Sequence, residues 1–600
     1  MIINALHSYY ETLLNDDDSG VSKPGFSKAR VEHCLVLSQN GRLIDLIDMR
    51  VENEKKTVSR VMDVPEQVKR TSGVAANFLC DNCTYVLGLG QKGKDEKKDR
   101  NKKCFEAFVL LHENILEGIE DEGAFSLLKF LRGWDVESAT THPVVCRWFD
   151  QLMEGSNIVF KLEGTEGFLH ERNTLLNTWD RYCSTMMSDL EMQCLVTGMT
   201  TDIARLHPNV NGVIGTKSTG AALVSFNKEH TAFDSYRKTQ AFNAPVAKDV
   251  VFGYTTALKH LLNSERHRIK ISNTTTVFWA ENSTSGLEEN LLGALFFSQT
   301  EHSGQDKEKQ GGAARDRQTE KLLHDIFVRV KEGRHISEDL EGVNLDTNFF
   351  ILGLAPNASR LAVRFWHVDR YGDFIDRVGQ HHRDMTIVKR YQNEPDFIPI
   401  GLILKETAPL KDTKRIPPLW GGVLMRSILS GTPYPMTLYN SVISRIRADR
   451  DVNYVRTAVI KACLVRNSRF YKKGNEVELT VSLNEQNHNA GYLLGRLFAL
   501  LEKAQEDANP GINSTIKDRY FGSASATPMS VFPILIRLAQ HHIAKAEYGR
   551  YMDKRIENVM ASIEGFPANL NLEEQGQFIL GYYQQRQALY EKSEKKESVK

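Results

Sequence analysis

Two stretches near the end of the chain have the hydrophobic spacing of amphipathic helices. Between Asn489 and Glu547, apolar residues recur every three or four positions, which places them on one face of a helix. Basic residues fall beside each apolar stripe, so the pattern predicts a helical bundle with a positively charged edge. The stripes are Leu493, Leu494, Leu497, Leu500 and Leu501, then Val531, Phe532, Leu535, Leu538, Ala539 and Ala546. The basic positions are Arg496 and Lys503, then Arg537, His541 and Lys545.

The remaining pattern predicts an α+β fold whose character changes near residue 412. Ile2–Leu14 has helical spacing, and the later stretch CLVLSQNGRLIDLIDM predicts a hairpin that turns at Asn40 and Gly41. Short β-type runs alternate with helical stretches up to about Pro399 and become rare after Asp412. We therefore expect a mixed α/β region over 1–411, a basic helical segment over 412–480 and a helical bundle over 481–600. The polar stretch 303–318 predicts a mobile loop.

Composition limits the function classes only coarsely. The 600-residue chain carries 76 basic and 76 acidic residues, so contact with a polyanion must come from local patches. Eight scattered cysteines indicate a reducing compartment and not a disulfide framework. The sequence has no signal-peptide pattern and no run of about eighteen apolar residues, so we expect a cytoplasmic protein with no membrane partner.

Two glycine-rich stretches are similar to nucleotide-binding loops but lack the required context. The glycines of 88–93 match GxGxxG, yet KDEKKDRNKK follows where a small-residue helix should begin, and we expect a charged loop there. In the stretch 212–227, Thr216 precedes Lys217 and breaks the GK[ST] order of a phosphate-binding loop. This stretch predicts a glycine-rich turn whose Lys217 is available to a nucleic-acid backbone, and we expect no cofactor.

A histidine pair keeps one enzymatic alternative open. The stretch HHRD supplies His381, His382 and Asp384, which are ligand types of metal-dependent phosphohydrolases, so a metal-dependent nuclease is the alternative function. Adjacent side chains on a helix point about 100° apart, which places the two histidines poorly for one shared metal. The sequence also has no serine elbow and no supported acidic pair, so we expect no catalytic residue.

A second candidate metal site involves cysteines. Cys80, Cys83, Cys104 and His112 would complete the ligand set of a zinc ion. The CxxC pair lies inside the apolar run NFLCDNCTYVLGL, however, and no second CxxC follows it. We therefore expect buried thiols and no metal.

Three stretches resemble one protein family. They are RTSGVAANFLCDNCTYVLGLGQKGK at 70–94, GGVLMRSILSGTPYPMTLYNSVISRIR at 421–447, and the helical stretch at 489–547. The chain resembles the large subunit of the type I-C CRISPR interference complex (Cascade) from IINALHSYYETLL to its last helix. The resemblance implies a non-catalytic subunit that recognises the short motif beside the target, the PAM, and stabilises the R-loop. It implies these partners: double-stranded target DNA and its displaced strand, CRISPR RNA, the backbone and RNA-handle-binding subunits, and a separate helicase-nuclease.

The resemblance also implies a small subunit made from the same gene at an internal start. The sequence has no methionine between Met436 and Met529. Our hypothesis is initiation at a valine codon near Val481, which would produce the C-terminal bundle as a separate protein.

Under this resemblance, a polar stretch followed by a lysine-rich run is the candidate for PAM recognition. Phosphate contacts fix the register of a protein on DNA, whereas contacts to base edges specify the sequence. The base-reading candidates are Lys69, Arg70, Thr71, Ser72, Asn77 and Asn82. Asn82 has the alternative role of capping or buttressing the turn. The phosphate-binding candidates are Lys92, Lys94, Lys97, Lys98, Arg100, Lys102 and Lys103.

A second basic surplus lies in 421–478, where ten basic residues accompany four acidic ones. It predicts a track for a DNA strand, with Tyr434, Tyr439 and Tyr454 for stacking. The alternative is salt pairing between residues four apart on a solvated helix, which the shortage of acids disfavours. The phosphate-binding candidates here are Arg426, Arg445, Arg447, Arg450, Arg466, Arg469, Lys472 and Lys473, and Arg496, Lys503, Arg537 and Lys545 extend them into the bundle.

Overall fold

The chain forms two compact units. The computed structural model describes residues 1–53, 56–68, 70, 73–90, 98–154, 157–185, 191–226, 238, 240–271, 273–281, 329, 344–474 and 478–597. Unit 1 comprises Met1–Pro208 and Ser225–Ala257, and unit 2 comprises Asn209–Val224 and Leu258–Lys600. The predicted α+β class is confirmed. The functional boundaries predicted after 411 and 480 both fall inside unit 2 and stay predictions, and the predicted loop 303–318 lies outside the described residues.

Unit 1 contains a four-stranded sheet with the order β3-β2-β8-β7, in which β2 runs parallel to β8 and antiparallel to β3. Its strands are Phe26–Val31 (β1), His33–Leu37 (β2), Leu43–Asp48 (β3), Val51–Asn53 (β4), Lys56–Val58 (β5), Arg60–Pro65 (β6), Asp81–Asn82 (β7), Asn157–Leu162 (β8), Glu191–Gln193 (β9) and Thr200–Asp202 (β10). Its helices are Ile2–Leu14 (α1), Cys83–Val86 (α2), Lys98–Leu116 (α3), Glu122–Gly133 (α4), Pro143–Arg147 (α5), Phe149–Leu152 (α6) and Asn173–Thr185 (α7), and Lys248–Asn263 (α8) is shared with unit 2.

The hairpin predicted around Gly41 is confirmed as β2 and β3. Gly41 has a φ of 73°, a left-handed conformation that favours glycine. A Cβ atom at this position would lie 2.5 Å from the Cβ of Lys129 and 2.7 Å from the backbone nitrogen of Phe130 in α4. The turn therefore needs glycine both for its backbone angle and for its close approach to a helix.

The charged loop predicted at 94–103 is wrong from Lys98 onward, because α3 begins there. The apolar residues that follow explain the difference, since Cys104, Phe105 and Phe108 are buried in the core of unit 1. Burying this face stabilises a helix whose first two turns are charged. The preceding residues 91–97 lie outside the described part of the chain.

Unit 2 combines an antiparallel sheet of order β11-β12-β13-β14 with a helical region. Its strands are Arg268–Ile271 (β11), Thr274–Ala280 (β12), Asn348–Asn357 (β13) and Arg360–Arg370 (β14). Its other helices are Tyr371–Met385 (α9), Ile400–Lys405 (α10), Trp420–Ser430 (α11), Met436–Asp449 (α12), Tyr454–Phe470 (α13), Ala490–Ala508 (α14), Ile516–Ala524 (α15), Pro528–Lys545 (α16), Gly549–Met560 (α17) and Leu572–Glu597 (α18). Every regular element described after β14 is helical, as predicted for the region after Asp412. None of the helices within the described ranges is both long and apolar enough to cross a membrane.

Helices α14 and α18 cross at very short range through glycines. A Cβ atom on Gly495 would lie 2.0 Å from the carbonyl oxygen of Phe578, and one on Gly581 would lie 2.2 Å from that of Tyr492. Backbone therefore meets backbone at this crossing, and the leucines of α14 are buried on either side of it. This contact joins the two helices at the centre of the predicted bundle.

We expect Gly495→Ala to lower the free energy of unfolding of unit 2 by about 1–3 kcal/mol, because the methyl group forces the two backbones apart. Calorimetry of the full chain measures the change. Gly522→Ala is the matched control, since Gly522 also lies in a helix of this bundle but has nothing within 4 Å of its added Cβ. We expect that control to be neutral or slightly stabilising, and equal losses in both variants would contradict the crossing geometry.

Candidate nucleic-acid interface

Arg70 organises the polar segment predicted to face the PAM. Its Nη1 donates to Oδ1 of Asp81 at 2.8 Å, its Nε donates to the carbonyl oxygen of Ala75 at 2.5 Å, and its guanidinium lies 3.8 Å from the ring centroid of Tyr85. Asp81 is buried, and this burial raises its pKa although Arg70 opposes the shift. Arg70 is half-buried, and its bonds to Asp81 and Ala75 hold the base of the segment in place.

Asn77 and Asn82 hold the same segment from its other end. Asn77 is buried, donates from Nδ2 to Oε1 of Gln67 at 2.7 Å and accepts from the backbone nitrogen of Val68 at 2.9 Å. Asn82 caps α2 by accepting from the backbone nitrogen of Thr84 at 3.0 Å, which is the alternative role considered for it. Contact between either residue and a DNA base stays a prediction. These bonds disfavour it, because they already engage the side-chain amides. Lys69, Thr71 and Ser72 lie outside the described residues.

Tyr85 connects this segment to the basic start of α3. Its hydroxyl accepts from the backbone nitrogen of Ala75 at 3.3 Å, and its ring belongs to the same buried core cluster as Cys104 of α3. The exposed cations of the first turns of α3 precede Cys104 by about one turn or less, so the structure brings the polar segment and these cations to the same core. The exposed cations are Arg100, Lys102 and Lys103. Lys92, Lys94, Lys97 and the side chain of Lys98 lie outside the described residues.

In the second basic segment, a buried carboxylate on α9 holds two arginines of α13. Asp384 is 1% exposed and accepts from Nε of Arg466 at 3.3 Å and from Nη2 of Arg469 at 2.9 Å. Arg466 is 2% exposed, lies over the Tyr434 ring at 4.3 Å, and donates to the carbonyl oxygen of Ser427. The predicted phosphate contact of Arg466 is disfavoured by this burial, because its guanidinium already has protein partners.

A second buried carboxylate, which follows α10, pairs in the same way with an arginine near the start of α13. Glu406 lies 2.8 Å from Nε of Arg456, which is 1% exposed and also lies 2.6 Å from Oδ2 of Asp449. Among the residues of this segment that the structure describes, the i,i+4 pairing considered as the alternative occurs once, between Arg445 and Asp449. The acids that neutralise this segment therefore come largely from outside it, which is why the local count of charges overstated its surplus.

The remaining cations of this segment are exposed, and some of them also bond within the protein. Arg450 and Lys472 are exposed, as are three cations with protein partners: Arg426 donates to the carbonyl oxygen of Arg364, Arg447 donates to Oε1 of Gln575, and Lys473 lies 2.5 Å from Glu573. The three tyrosines proposed for stacking are buried, so they do not offer their rings to a strand in this conformation. They are Tyr434, Tyr439 and Tyr454.

The HHRD stretch forms part of this buried cluster. Nδ1 of His381 lies 2.6 Å from the Tyr434 hydroxyl, and burial lowers the pKa of His381 well below its usual range. His382 is also buried, and Asp384 is bound to the two arginines. Within the described ranges, no group of three or more potential ligands is placed to hold a metal.

His112 also has a structural role. Its Nε2 accepts from the backbone nitrogen of Leu79 at 3.0 Å and its Nδ1 donates to the carbonyl oxygen of Phe108 at 2.7 Å. Burial lowers its pKa to about 4, so the ring is neutral near pH 7. Cys80, Cys83 and Cys104 are buried free thiols, as expected from their apolar context.

A glycine-rich turn is present between β10 and α8, as predicted for the stretch 212–227. Gly215 has a φ of 87°, and the backbone nitrogen of Ile214 donates to Oγ1 of Thr275 at 3.0 Å. Lys217 is exposed at this turn, where its side chain can reach an external anion.

The cations of the C-terminal bundle are unequally exposed. Arg496 is buried and donates from Nε to Oε1 of Gln585 at 3.1 Å, while Lys503 is paired with Asp507. Arg537 is exposed, and Nζ of Lys545 lies 3.0 Å from Oδ1 of Asn509. Only part of the predicted charged edge therefore faces outward.

A set of basic and aromatic residues lies along α16 and α17, and the sequence analysis found its α16 cations but missed its members from Tyr548 onward. The guanidinium of Arg555 lies 5.6 Å from the ring centroid of Tyr551, which is 56% exposed. The stretch YGRYMDKR contains this alternation of aromatic and basic residues and could have revealed the site. We call this set the α16–α17 surface. Its exposed members are Arg537, His541, Lys545, Tyr548, Arg550, Tyr551 and Lys554, and Arg555 is half-buried beside them.

Comparison with known families identifies the chain. The sequence profile of the family described as CRISPR-associated protein (Cas_Csd1) matches residues 6–590. The chain belongs to this Cas_Csd1 family. No curated protein matches it. The family match covers both the polar segment around Arg70 and the α16–α17 surface, so both are parts of a CRISPR-associated protein.

For this Cas_Csd1 protein, we expect Asp384→Asn to lower the free energy of unfolding by about 3–5 kcal/mol, because it leaves the buried Arg466 without its anionic partner. Denaturant titration of the full chain measures the loss. Asp412→Asn is the control, since the partly exposed Asp412 lies 3.5 Å from the exposed Arg415 and such pairs contribute about 1 kcal/mol or less. A similar small loss in both variants would contradict the role assigned to Asp384.

Proposed function

We propose that this protein is the non-catalytic large subunit of a type I-C RNA-guided complex that surveys DNA in antiviral defence. In this role it recognises the PAM, promotes and stabilises the R-loop, and helps recruit a separate helicase-nuclease. The observation that carries the proposal is membership of the CRISPR-associated Cas_Csd1 family over nearly the whole chain. The exposed basic surfaces support it, because nucleic-acid affinity in a chain of zero net charge depends on such patches.

The segment around Arg70 is the proposed PAM reader. Arg70, Asn77 and Asn82 hold the segment by bonds within the protein, so they act as positioning residues that present its outer part to the DNA. Lys102 and Lys103 then bind the flanking phosphates from the start of α3. This arrangement provides the division between sequence reading and phosphate binding that PAM recognition requires.

The α16–α17 surface is the proposed track for the displaced strand. Exposed aromatic rings stack on bases of any sequence, and cations beside them bind the phosphates. Each DNA base-pair step that is opened costs about 1.4 kcal/mol, and pairing of the guide with the target strand returns a similar free energy. Contacts worth a few kcal/mol to the expelled strand can therefore decide whether the DNA stays open.

The proposal assigns cleavage of DNA to another chain. The engagement of Asp384 by Arg466 and Arg469 supports this assignment, because a carboxylate bound to two guanidiniums is a poor metal ligand. If the chain were the alternative, a metal-dependent nuclease, the purified wild-type protein would cut DNA with Mg²⁺ or Mn²⁺ and Asp384→Asn would abolish the cutting.

We expect Lys102→Glu combined with Lys103→Glu to weaken target binding by the guide-loaded complex to a similar extent for every flanking motif. Loss of two phosphate contacts should reduce the slope of log affinity against log salt by about 2. Gel shifts at several salt concentrations, on targets with different flanking motifs, measure both effects. Asn77→Ala should instead reduce the difference in affinity between motifs, because it loosens the reading segment.

The control for these gel shifts is Arg60→Glu combined with Arg181→Glu, which reverses two other exposed charges of unit 1. We expect this pair to leave the salt slope unchanged. An identical loss in both double variants would indicate a general effect of net charge and would contradict a specific site at α3.

We expect Tyr551→Ala to shorten the lifetime of the opened target about tenfold, since stacking on one base is worth about 1–3 kcal/mol. Challenge of the preformed complex with excess unlabelled target measures this lifetime. Tyr391→Ala is the matched control, because Tyr391 is equally exposed at 56% and lies 5.1 Å from the guanidinium of Arg390. Equal effects of the two substitutions would argue against the α16–α17 surface.

A further inference from the structure

An apolar cavity of about 200 Å³ lies between α10, α11 and α12 in unit 2. Several of its lining side chains are exposed, among them Leu419 and Val423, so the cavity is accessible from outside. An apolar cavity of about 150 Å³ is large enough for benzene, so this one accommodates a single large apolar side chain. Its lining residues are Leu404, Leu419, Trp420, Val423, Leu424, Pro435, Thr437 and Leu438.

The segment that joins two of the cavity's helices carries an unusually exposed leucine. Leu410 is 88% exposed and has a φ of 56°, and the next residue, Lys411, has a φ of 57°. Two successive left-handed residues that are not glycine cost roughly 1–2 kcal/mol each. This strained backbone exposes a leucine to water. Backbone outliers of this kind cluster at functional sites, including those that bind ligands. Leu410 is thus a second exposed apolar group in the segment that leads from α10 to α11.

The stretch that contains the cavity and Leu410 has a surplus of basic residues. Residues 399–440 contain five basic residues and two acidic ones, and one of the acids, Glu406, is buried against Arg456 and also pairs with Lys411. The other acid, Asp412, is partly exposed. The basic residues are all exposed, and they are Lys405, Lys411, Lys414, Arg415 and Arg426.

We propose that this surface docks an acidic, amphipathic segment of a partner protein, which places one large apolar side chain in the cavity and its carboxylates against the surrounding cations. Charge complementarity selects an acidic partner. The cavity selects a protein over a nucleic acid, because a base inserted among these side chains would lose the hydrogen bonds of its polar edges. An apolar anchor in a groove with a charged rim is a common mode of peptide recognition. The inference rests on the proposed function in one respect: the partner is another protein of the same complex.

The test uses overlapping 20-residue peptides from the helicase-nuclease and from the other subunits of the complex. Each fluorescein-labelled peptide is titrated with the full chain, and binding is followed by fluorescence polarisation. The expected binders contain several carboxylates and a large apolar residue, and their affinity falls as salt is raised. Val423→Asp, or Lys414→Glu combined with Arg415→Glu, should weaken these binders at least tenfold.

Two matched substitutions control for nonspecific effects. Val368→Asp changes an equally accessible valine on β14, and Lys270→Glu reverses an exposed lysine on β11. Both should leave peptide binding unchanged. The proposal is overturned if no peptide binds, if the controls weaken binding as much as the cavity variants, or if the cavity variants lose binding of a single-stranded 30-nucleotide DNA instead. Gel shifts by the assembled complex report separately on the proposed function, so the two can fail independently.

Discussion

Two buried carboxylates, Asp384 and Glu406, determine how the basic helices of unit 2 pack. Helix α13 has most of its residues buried, among them Arg456, Lys461 and Arg466. Buried cations are strongly unfavourable unless anions accompany them. Asp384 from α9 and Glu406, which follows α10, supply those anions, so α13 occupies the centre of the helical region. Among the cations outside this cluster, Arg426, Arg447, Arg450 and Lys472 are exposed and are the candidates for contact with an external anion.

Much of the fold could be predicted because it depends on local periodicity. Helix α1, the hairpin at Gly41 and the helices α14 and α16 all follow from apolar spacing and turn residues read within short windows. The start of α3 was missed because its first two turns are highly charged and resemble a loop. The helix forms there because Cys104, Phe105 and Phe108 bury one face of it, which is a tertiary effect that outweighs local composition.

The candidate site was less predictable, because side-chain partners lie far apart in sequence. Asp384 is separated from Arg466 by 82 positions, so a count of charges over 421–478 could not include it. Asn77 has its partner Gln67 only ten positions away, but the sequence does not show that its amide is used within the protein, whereas the lysines at the start of α3 remain exposed. Tyr551 and its neighbours were detectable in principle, since aromatic and basic residues alternate there, but they lie on α17, beyond the two apolar stripes that predict the bundle. Burial, and not residue type, thus separates structural cations from candidate DNA ligands.

The most direct measurement of the central claim is strand opening in a target by the guide-loaded complex, assembled with and without this protein. Permanganate reacts with thymines that are no longer paired, so it reports on the displaced strand. The account predicts strong reactivity only when the protein is present and a permitted flanking motif adjoins the target. Equal reactivity in its absence, or the same reactivity for every flanking motif, would contradict the account.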